Sequence, residues 1–331
     1  MAARWPPSSP ERLSGSVSGK NRKHITVVGS ANLDLVIEVE RLPRAGETIP
    51  GGDLALFPGG KGANQACAAA KLGGQVSFVA QVGNDAFAGT LMDSLRDAGV
   101  DTAPVGRTGR ATGCACIYVM PGGENSIVIS PGANATLLPG VALERLRVNA
   151  GDVVLCQLES PLETVEAVFA HARAAGAITV LDPAPARSLP PPLLALIDLL
   201  TPNQVEAGVL LGDGCEIRSF EQAQHAGRRL RRLGPRVVIL KLGELGCFVS
   251  SADIECPIAA HQVSAVDTTA AGDVFNAGLA VALAEGASLL EAAQLANAAA
   301  AISVTRRGAQ PSAPSREETE RLLTDARVEH R

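Results

Sequence analysis

Short, wholly apolar, β-branched runs alternate with helical patterns along most of this chain, and no other feature limits its fold so strongly. The run Ile25–Gly29 is continuous and apolar, as a strand covered on both faces must be. Beyond it the sequence predicts a helix over Asn64–Leu72, a strand over Val76–Val82 and a helix over Phe87–Ala98. Further strands are expected at Val153–Gln157, Ile178–Leu181, Leu196–Leu200 and Val237–Leu240, with helical patterns over 161–175, 203–211 and 219–233. This order specifies an α/β fold, a doubly wound, mainly parallel sheet flanked by helices.

Two stretches interrupt the pattern. Residues 35–58 and 111–131 are helix-poor and carry short alternating runs: Leu35–Glu40, Thr112–Val119 and Asn125–Ile129. Both adjoin core strands, so they are expected to pair into a small β-sheet lid over the carboxyl edge of the large sheet. Residues 272–305 read as two closely packed, alanine-rich helices, followed by a turn at 308–311 and a closing helix near 314–326. One α/β domain over 24–326 is therefore expected. Residues 1–23, rich in Pro, Ser, Gly and basic side chains, read as a disordered tail. That tail lacks the hydrophobic segment of a secretory signal, and its acid-poor composition suits an organelle transit peptide as well as a plain extension.

Bulk charge removes several classes of partner. A net charge of −5 and a pI near 5.6 argue against nucleic acid or an anionic membrane as partners. No apolar run is long enough to span a bilayer. Seven cysteines without a C-x-x-C pair suit reduced thiols in a cytoplasmic setting, with an organelle as the alternative. The five histidines make no metal-ligand spacing.

The densest chemistry lies in Asp267-Thr268-Thr269-Ala270-Ala271-Gly272-Asp273. An apolar run ending in Val263–Val266 precedes it and a helical segment, Val274–Glu285, follows, so a strand is expected to turn into a helix here. Small residues at Ala270, Ala271 and Gly272 let main-chain N–H groups approach an anion, which a helix start favours. Asp273 then either takes a proton from an attacking hydroxyl or serves only as a favourable first-turn acid. Asn32 and Asp34, in the loop after the first strand, suit adjacent sugar hydroxyls, although Asp is also a common turn former. In Phe57-Pro58-Gly59-Gly60-Lys61-Gly62-Ala63-Asn64-Gln65, three glycines within four positions suggest backbone coming close to a polar ligand. A Walker A loop would need Gly at 55 and Ser or Thr at 62, and the chain has Ala55 and Gly62. No G-x-G-x-x-G opens a helix after a strand, which weakens a nicotinamide oxidoreductase. Gln157-Leu158-Glu159 puts another carboxylate at the same sheet edge. Asn203 and Glu206, at i and i+3, suit either a hydrated Mg²⁺ or a helix capping box. Lys241–Gly246 ends a strand in a Gly-rich turn fit to lie against a nucleotide.

Five segments together resemble one family. Gly59–Asn64, Asp182-Pro183-Ala184-Pro185, Asn203-x-x-Glu206, Leu242-Gly243-x-x-Gly246 and Asp267–Asp273 follow the order of the ribokinase-like (PfkB-type) sugar kinases, and Gly308-Ala309-Gln310-Pro311-Ser312 extends the likeness. The resemblance implies transfer of the ATP γ-phosphoryl group to the 5-hydroxyl of D-ribose. It implies that Asn32, Asp34, Gly60, Lys61, Asn64 and Glu159 hold the sugar. It makes Asp273 the general base and Ala270, Ala271 and Gly272 the anion hole. Asn203 and Glu206 are expected to face Mg²⁺ through water. Lys241, Leu242, Gly243, Glu244, Leu245 and Gly246, with Gly272 and Asn297, are expected to line the nucleotide site. Asp267, Thr269, Ser303, Arg306, Gly308 and Ser312 match the family's monovalent-cation loop, often filled by K⁺, mostly through main-chain carbonyls. A homodimer through the lid is likewise implied.

Two departures stand out. Ala270 replaces a frequent Gly, and Lys241 replaces a frequent Thr, its charge directed either to phosphate or to solvent. Cys114, Cys116 and Cys156 are expected to serve packing. Rival substrates are 2-deoxyribose, fructose, a sugar phosphate and a nucleoside. A nucleoside needs aromatic stacking surfaces, and the lid regions offer only Phe57 and Tyr118 in a chain with 3% aromatic residues. A sugar phosphate needs extra cations, for which Arg41 and Arg44 are candidates that read as solvated turn residues. A non-catalytic sugar-binding regulator has no need of Asp273.

Overall fold

The first strand, β1 (Ile25–Val28), is buried at every residue, and the chain leaves its carboxyl end directly into β2 (Asn32–Glu38). The computed structural model describes residues 23–122 and 124–329, so the expectation of a disordered tail lies, but for Lys23, outside the described residues. β3 (Ala55–Gly59) returns toward β1 and feeds α1 (Lys61–Lys71). Next come β4 (Val76–Val79), β5 (Gln81–Val82), α2 (Ala86–Asp97) and β6 (Gly106–Arg107). The strand expected over Val76–Val82 is thus divided: β4 joins the large sheet while β5 pairs with β6. β7 (Gly113–Val119) and β8 (Asn125–Ser130) form a hairpin, followed by α3 (Pro139–Arg145).

From there the chain alternates. β9 (Val153–Cys156), α4 (Leu162–Ala174), β10 (Ile178–Leu181), α5 (Pro191–Leu194), β11 (Leu199–Leu200), α6 (Gln204–Leu211), α7 (Phe220–Arg231) and β12 (Val237–Lys241) follow in turn. An antiparallel hairpin, β13 (Cys247–Ser250) and β14 (Glu255–Ile258), finishes the sheet. Three helices end the described chain: α8 (Ala271–Ala284), α9 (Leu289–Ser303) and α10 (Arg316–Glu329).

The large sheet has the order β14-β13-β12-β11-β10-β9-β1-β4 and is parallel except where β13 joins β12 and β14. Alternate strand residues serve two apolar layers. Val27, Phe78, Leu155 and Ile239 pack with α1, α2, α8 and α9, while Val28, Val154, Leu181 and Leu240 pack with α4, α6 and α7. Both faces being covered explains why these strands read as unbroken apolar runs. The chain runs outward from β1 to β4, then back across to β9, so the strand order reverses beside β1. That crevice at the carboxyl ends is where ligands of open α/β sheets bind.

A second sheet, ordered β3-β2-β7-β8, is built from the two helix-poor regions. Its β2–β7 pair is parallel and its other pairs antiparallel. Five of its large apolar side chains stay exposed: Leu56, Phe57, Ile127, Val128 and Ile129.

One expectation fails here. Val263–Val266 forms no strand, and Val266 is 59% exposed. Residues 262–266 are all exposed, so the segment lacks the two-sided cover of the buried strands. Instead Val266 N and Asp267 N both donate to Val304 O, at 2.7 and 3.1 Å, which binds the segment to the end of α9. The helix bearing Asp273 is therefore entered from a loop. Among the described residues no helix is long and apolar enough to cross a membrane.

Candidate active site

The glycine-rich turn before α1 is explained first by the backbone it touches. Gly60 caps α1 at φ 87°, and a Cβ there would lie 2.6 Å from Asn32 N. At Gly62 a Cβ would lie 2.7 Å from Ser30 N. These glycines let the start of α1 pack on the 29–32 loop, so the close approach read from the sequence is made to main chain. One consequence is that Asn32, Asp34, Lys61 and Asn64 come together. Asn134, whose role the sequence did not reveal, accepts from Ala31 N at 2.9 Å and donates to Asn32 Oδ1 at 2.7 Å, which fixes the Asn32 amide. Glu159 Oε2 accepts from Ser30 Oγ at 2.5 Å and from Lys61 N at 3.1 Å.

Asp273 lies in the first turn of α8 and is 4% exposed. Its Oδ2 accepts from Asn64 Nδ2 at 3.1 Å and its Oδ1 from Gln65 Nε2 at 2.9 Å. Burial raises the Asp273 pKa, the Lys61 charge opposes the shift, and Asp182 adds to it. Burial alone would lower the Lys61 pKa, yet Asp273, Asp182, Glu159 and Glu206 around it raise it, so the ammonium stays charged. Asp34 is pushed up to about 7, first by burial and then by Glu159 and Asp273. Asn64 Oδ1 is buried without a hydrogen-bond partner, so this cluster has an acceptor open to a ligand's donor.

The phosphate side is built around the entrance to α8. No side chain caps that helix, and Ala270 before it takes a left-handed φ of 59°. An alanine there carries strain of about 1 kcal/mol that glycine would escape. Ala271 N donates to Thr268 O at 3.2 Å, so the N–H groups this helix mouth can offer an anion begin at Gly272. Lys241, at the end of β12, is 12% exposed and donates to Asp182 Oδ1 at 2.8 Å. A Cβ on Gly272 would lie 3.3 Å from Lys241 Nζ, so this ammonium flanks the same anion site and does not point to solvent.

Asn203 and Glu206 form a full capping box on α6: Asn203 Oδ1 accepts from Glu206 N at 2.8 Å, and Glu206 Oε2 accepts from Asn203 N at 2.7 Å. Glu206 also lies 4.0 Å from Lys241 Nζ. The pair therefore caps α6 and at the same time stands beside the Lys241 ammonium. Gly243–Leu245 is a 3-10 turn, with Leu242 buried, Leu245 packed on the core and Glu244 exposed. Asn297 Nδ2 donates to Ala259 O at 2.8 Å and ties α9 to the chain beyond β14.

Asp267 organises the turn before Ala270. Its carboxylate accepts from Thr269 N at 2.9 Å and Gly308 N at 2.8 Å, which joins this turn to the 303–312 segment. Ser303 and Ser312 are fully buried and donate to the carbonyls of Ala300 and Ala309, both at 2.8 Å. Arg306 turns its guanidinium to Glu318, leaving only its main chain for the loop.

Residues 22–316 match the pfkB family carbohydrate kinase description. A ribokinase of Haemophilus influenzae is 42% identical over 307 residues, covering 92% of this chain and 100% of that protein. A ribokinase of Bacillus subtilis is 40% identical over 306 residues, covering 91% and 100%. The structure of Arabidopsis thaliana ribokinase complexed with ribose and ATP superposes with a TM-score of 0.85 at 37% identity, covering 91% of this chain and 98% of that one.

Proposed function

This chain belongs to the pfkB family of carbohydrate kinases, and from that premise we propose that it phosphorylates D-ribose at the 5-hydroxyl with ATP. The observation that carries the mechanism is the placement of Asp273: a buried carboxylate held by two amides of α1, at the mouth of an uncapped helix, beside Asn32, Asp34 and Lys61. Asp273 takes the proton of the attacking hydroxyl. The helix mouth at Ala270–Gly272 and the Lys241 ammonium stabilise the charge on the transferring phosphoryl oxygens. Asn32, Asp34, Gly60, Asn64 and Glu159 orient the sugar, with Lys61 as the cation among their carboxylates. The turn at 241–246, Gly272 and Asn297 line the nucleotide.

The residues present suit the expected ions. Each Glu206 oxygen accepts one bond from Asn203, so this carboxylate has lone pairs left for water around Mg²⁺. Bound there, Mg²⁺ would supply charge neutralisation beside the phosphates. Around Asp267, the main-chain carbonyls of Thr269, Ser303, Arg306, Gly308 and Ser312, with the buried hydroxyls of Ser303 and Ser312, would offer oxygen donors suited to K⁺.

The aromatic-poor small sheet, where Phe57 is 40% exposed, disfavours a nucleoside, and Arg41, which is spent on Glu47, disfavours a sugar phosphate; 2-deoxyribose and fructose are the rivals the assay must separate from D-ribose. We further propose a homodimer through the exposed apolar side chains of that sheet, working in the cytoplasm, where its seven free cysteines stay reduced. A coupled ADP-release assay over ribose, 2-deoxyribose, fructose and adenosine, with and without K⁺, tests the substrate. In the same assay Asp273→Asn is expected to lower kcat by on the order of 10²-fold while sugar KM changes little. Unchanged turnover in that variant would remove the general base from the mechanism.

A further inference from the structure

Gln65 has no role in the chemistry above, yet three hydrogen bonds use both ends of its buried amide. Its Nε2 donates to Asp182 Oδ2 and to Asp273 Oδ1, each at 2.9 Å, while its Oε1 accepts from Gln157 Nε2 at 2.5 Å. Carboxylates only accept, so the NH₂ end must face the two aspartates and the oxygen must face Gln157. Gln157 Oε1, buried without a hydrogen-bond partner, fills the space a Cβ on Gly29 would occupy, so the glycine leaves room for this amide. Asp182 is 1% exposed and gives its other oxygen to Lys241, the cation beside Gly272. One planar amide therefore stands between the carboxylate on the sugar side and the ion pair on the phosphate side.

Two buried carboxylates this close to a common donor would, without it, favour sharing a proton. An amide offers each carboxylate one N–H, so it stands between the pair and satisfies one oxygen of each. It also fixes Asp273 in rotation: with Oδ1 held by Gln65, Oδ2 is the oxygen left on the Asn64 side, next to the sugar residues. The charged groups acting on Asp273 are Lys61 from α1, Asp182 from beyond β10 and Asp34 from β2, while Glu159 and Glu206 act on Lys61 and Lys241 pairs with Asp182.

We propose that Gln65 is a positioning residue, which aims the Asp273 carboxylate at the sugar hydroxyl and links it to the Asp182–Lys241 pair at the phosphate site. The inference rests on the kinase reading above. Gln65→Met keeps the volume and unbranched shape and removes the donors, so packing alone predicts little change. The expected result is a kcat lower by about 10²-fold, with sugar KM within about threefold and the thermal midpoint near that of the unaltered chain. A kcat within about threefold of the unaltered chain overturns the proposal. Should Gln65→Met fail to fold, Gln157→Leu loosens the same amide from behind, and about a tenfold loss in kcat at constant KM is expected. No loss there overturns it equally.

The link to the phosphate side is read from Gln65→Met combined with Lys241→Met. The double variant is expected to lose clearly less than the product of the two single losses, and strict multiplication would sink the link. Asp273→Asn run in parallel separates the two failures. If that variant keeps full turnover, the general-base reading is wrong and this inference goes with it. If it is dead while Gln65→Met is active, only the positioning role is lost.

Discussion

The two sheets solve opposite problems. In the large sheet, strands such as β1, β9 and β10 are covered on both faces, and residues including Val27, Leu155 and Leu181 are wholly buried. The small sheet keeps Ile127, Val128 and Ile129 open at 51, 65 and 48% exposure. The large sheet's carboxyl edge carries Glu159, Asp182 and Lys241, and α8 packed on its face carries Asp273. From the small sheet come Asn32 and Asp34. Rigid chemistry is thus placed on the sheet that cannot shift without breaking a core. The sugar contacts proposed for Asn32 and Asp34 would lie on the more exposed sheet, as a closing element requires.

The largest effect should come from cutting into the large sheet's packing. Phe169 on α4 is fully buried against β9 and β10. Phe169→Ala is expected to cost about 3–5 kcal/mol in denaturant unfolding, for lost transfer energy and the cavity left behind. A loss below about 1 kcal/mol would mean that this face is not the closed core described.

A middling effect is expected at Asp34, where the small sheet meets the chemistry. Asp34→Asn removes a carboxylate acceptor for sugar hydroxyls, and sugar KM should rise by about tenfold, or about 1.4 kcal/mol, with a smaller change in kcat. The pH dependence has a definite sign. The pKa of Asp34 rises from 3.8 in the unfolded chain to about 7 in the fold. Between those values the folded chain holds the extra proton, so this residue makes stability fall as pH rises across the window. Asp34→Asn should therefore match the unaltered chain at the acid end and exceed it above pH 7 in thermal midpoint. For function the slope is reversed: the unaltered enzyme should bind sugar more tightly as pH passes 7 and Asp34 ionises. A sugar KM flat from pH 6 to pH 8 contradicts this.

That contrast between the sheets also explains what could be read in the sequence. Strands buried on both faces announce themselves, and β10 has the bounds its apolar run predicts, Ile178–Leu181. Edge elements do not. β14 alternates exposed and half-buried residues around Pro257, while the apolar Val263–Val266 forms no strand at all and is tied at Val266 to the end of α9. The residues at the site's rim are visible through their spacing, since Asn203 and Glu206 sit three apart, as do the bonds they exchange. Gln65 is different. Its partners lie 92, 117 and 208 residues away, so nothing local marks its amide as special. Lys241 is a similar case: its charge pointed to phosphate or solvent equally until Asp182, 59 residues earlier, was placed against it.

The smallest effect on the folded subunit is expected at Val128, and it sharpens the comparison most. With 65% of its surface open, Val128 contributes little to a single chain, so Val128→Glu should change monomer stability by no more than about 0.5 kcal/mol. Leu56, on the strand β3 across the sheet, is also open, at 48%. An apolar surface on both edges of so small a sheet is what a second copy of the chain would cover. A charge at its centre would then be buried unpaired in the dimer, at a cost far above its cost in the monomer. Light scattering should accordingly show a dimer for the unaltered chain and a shift to monomer for Val128→Glu, at nearly equal thermal midpoints in dilute solution. A monomer in both cases would leave the apolar face to the closing motion alone; a dimer in both would move the contact elsewhere on the molecule.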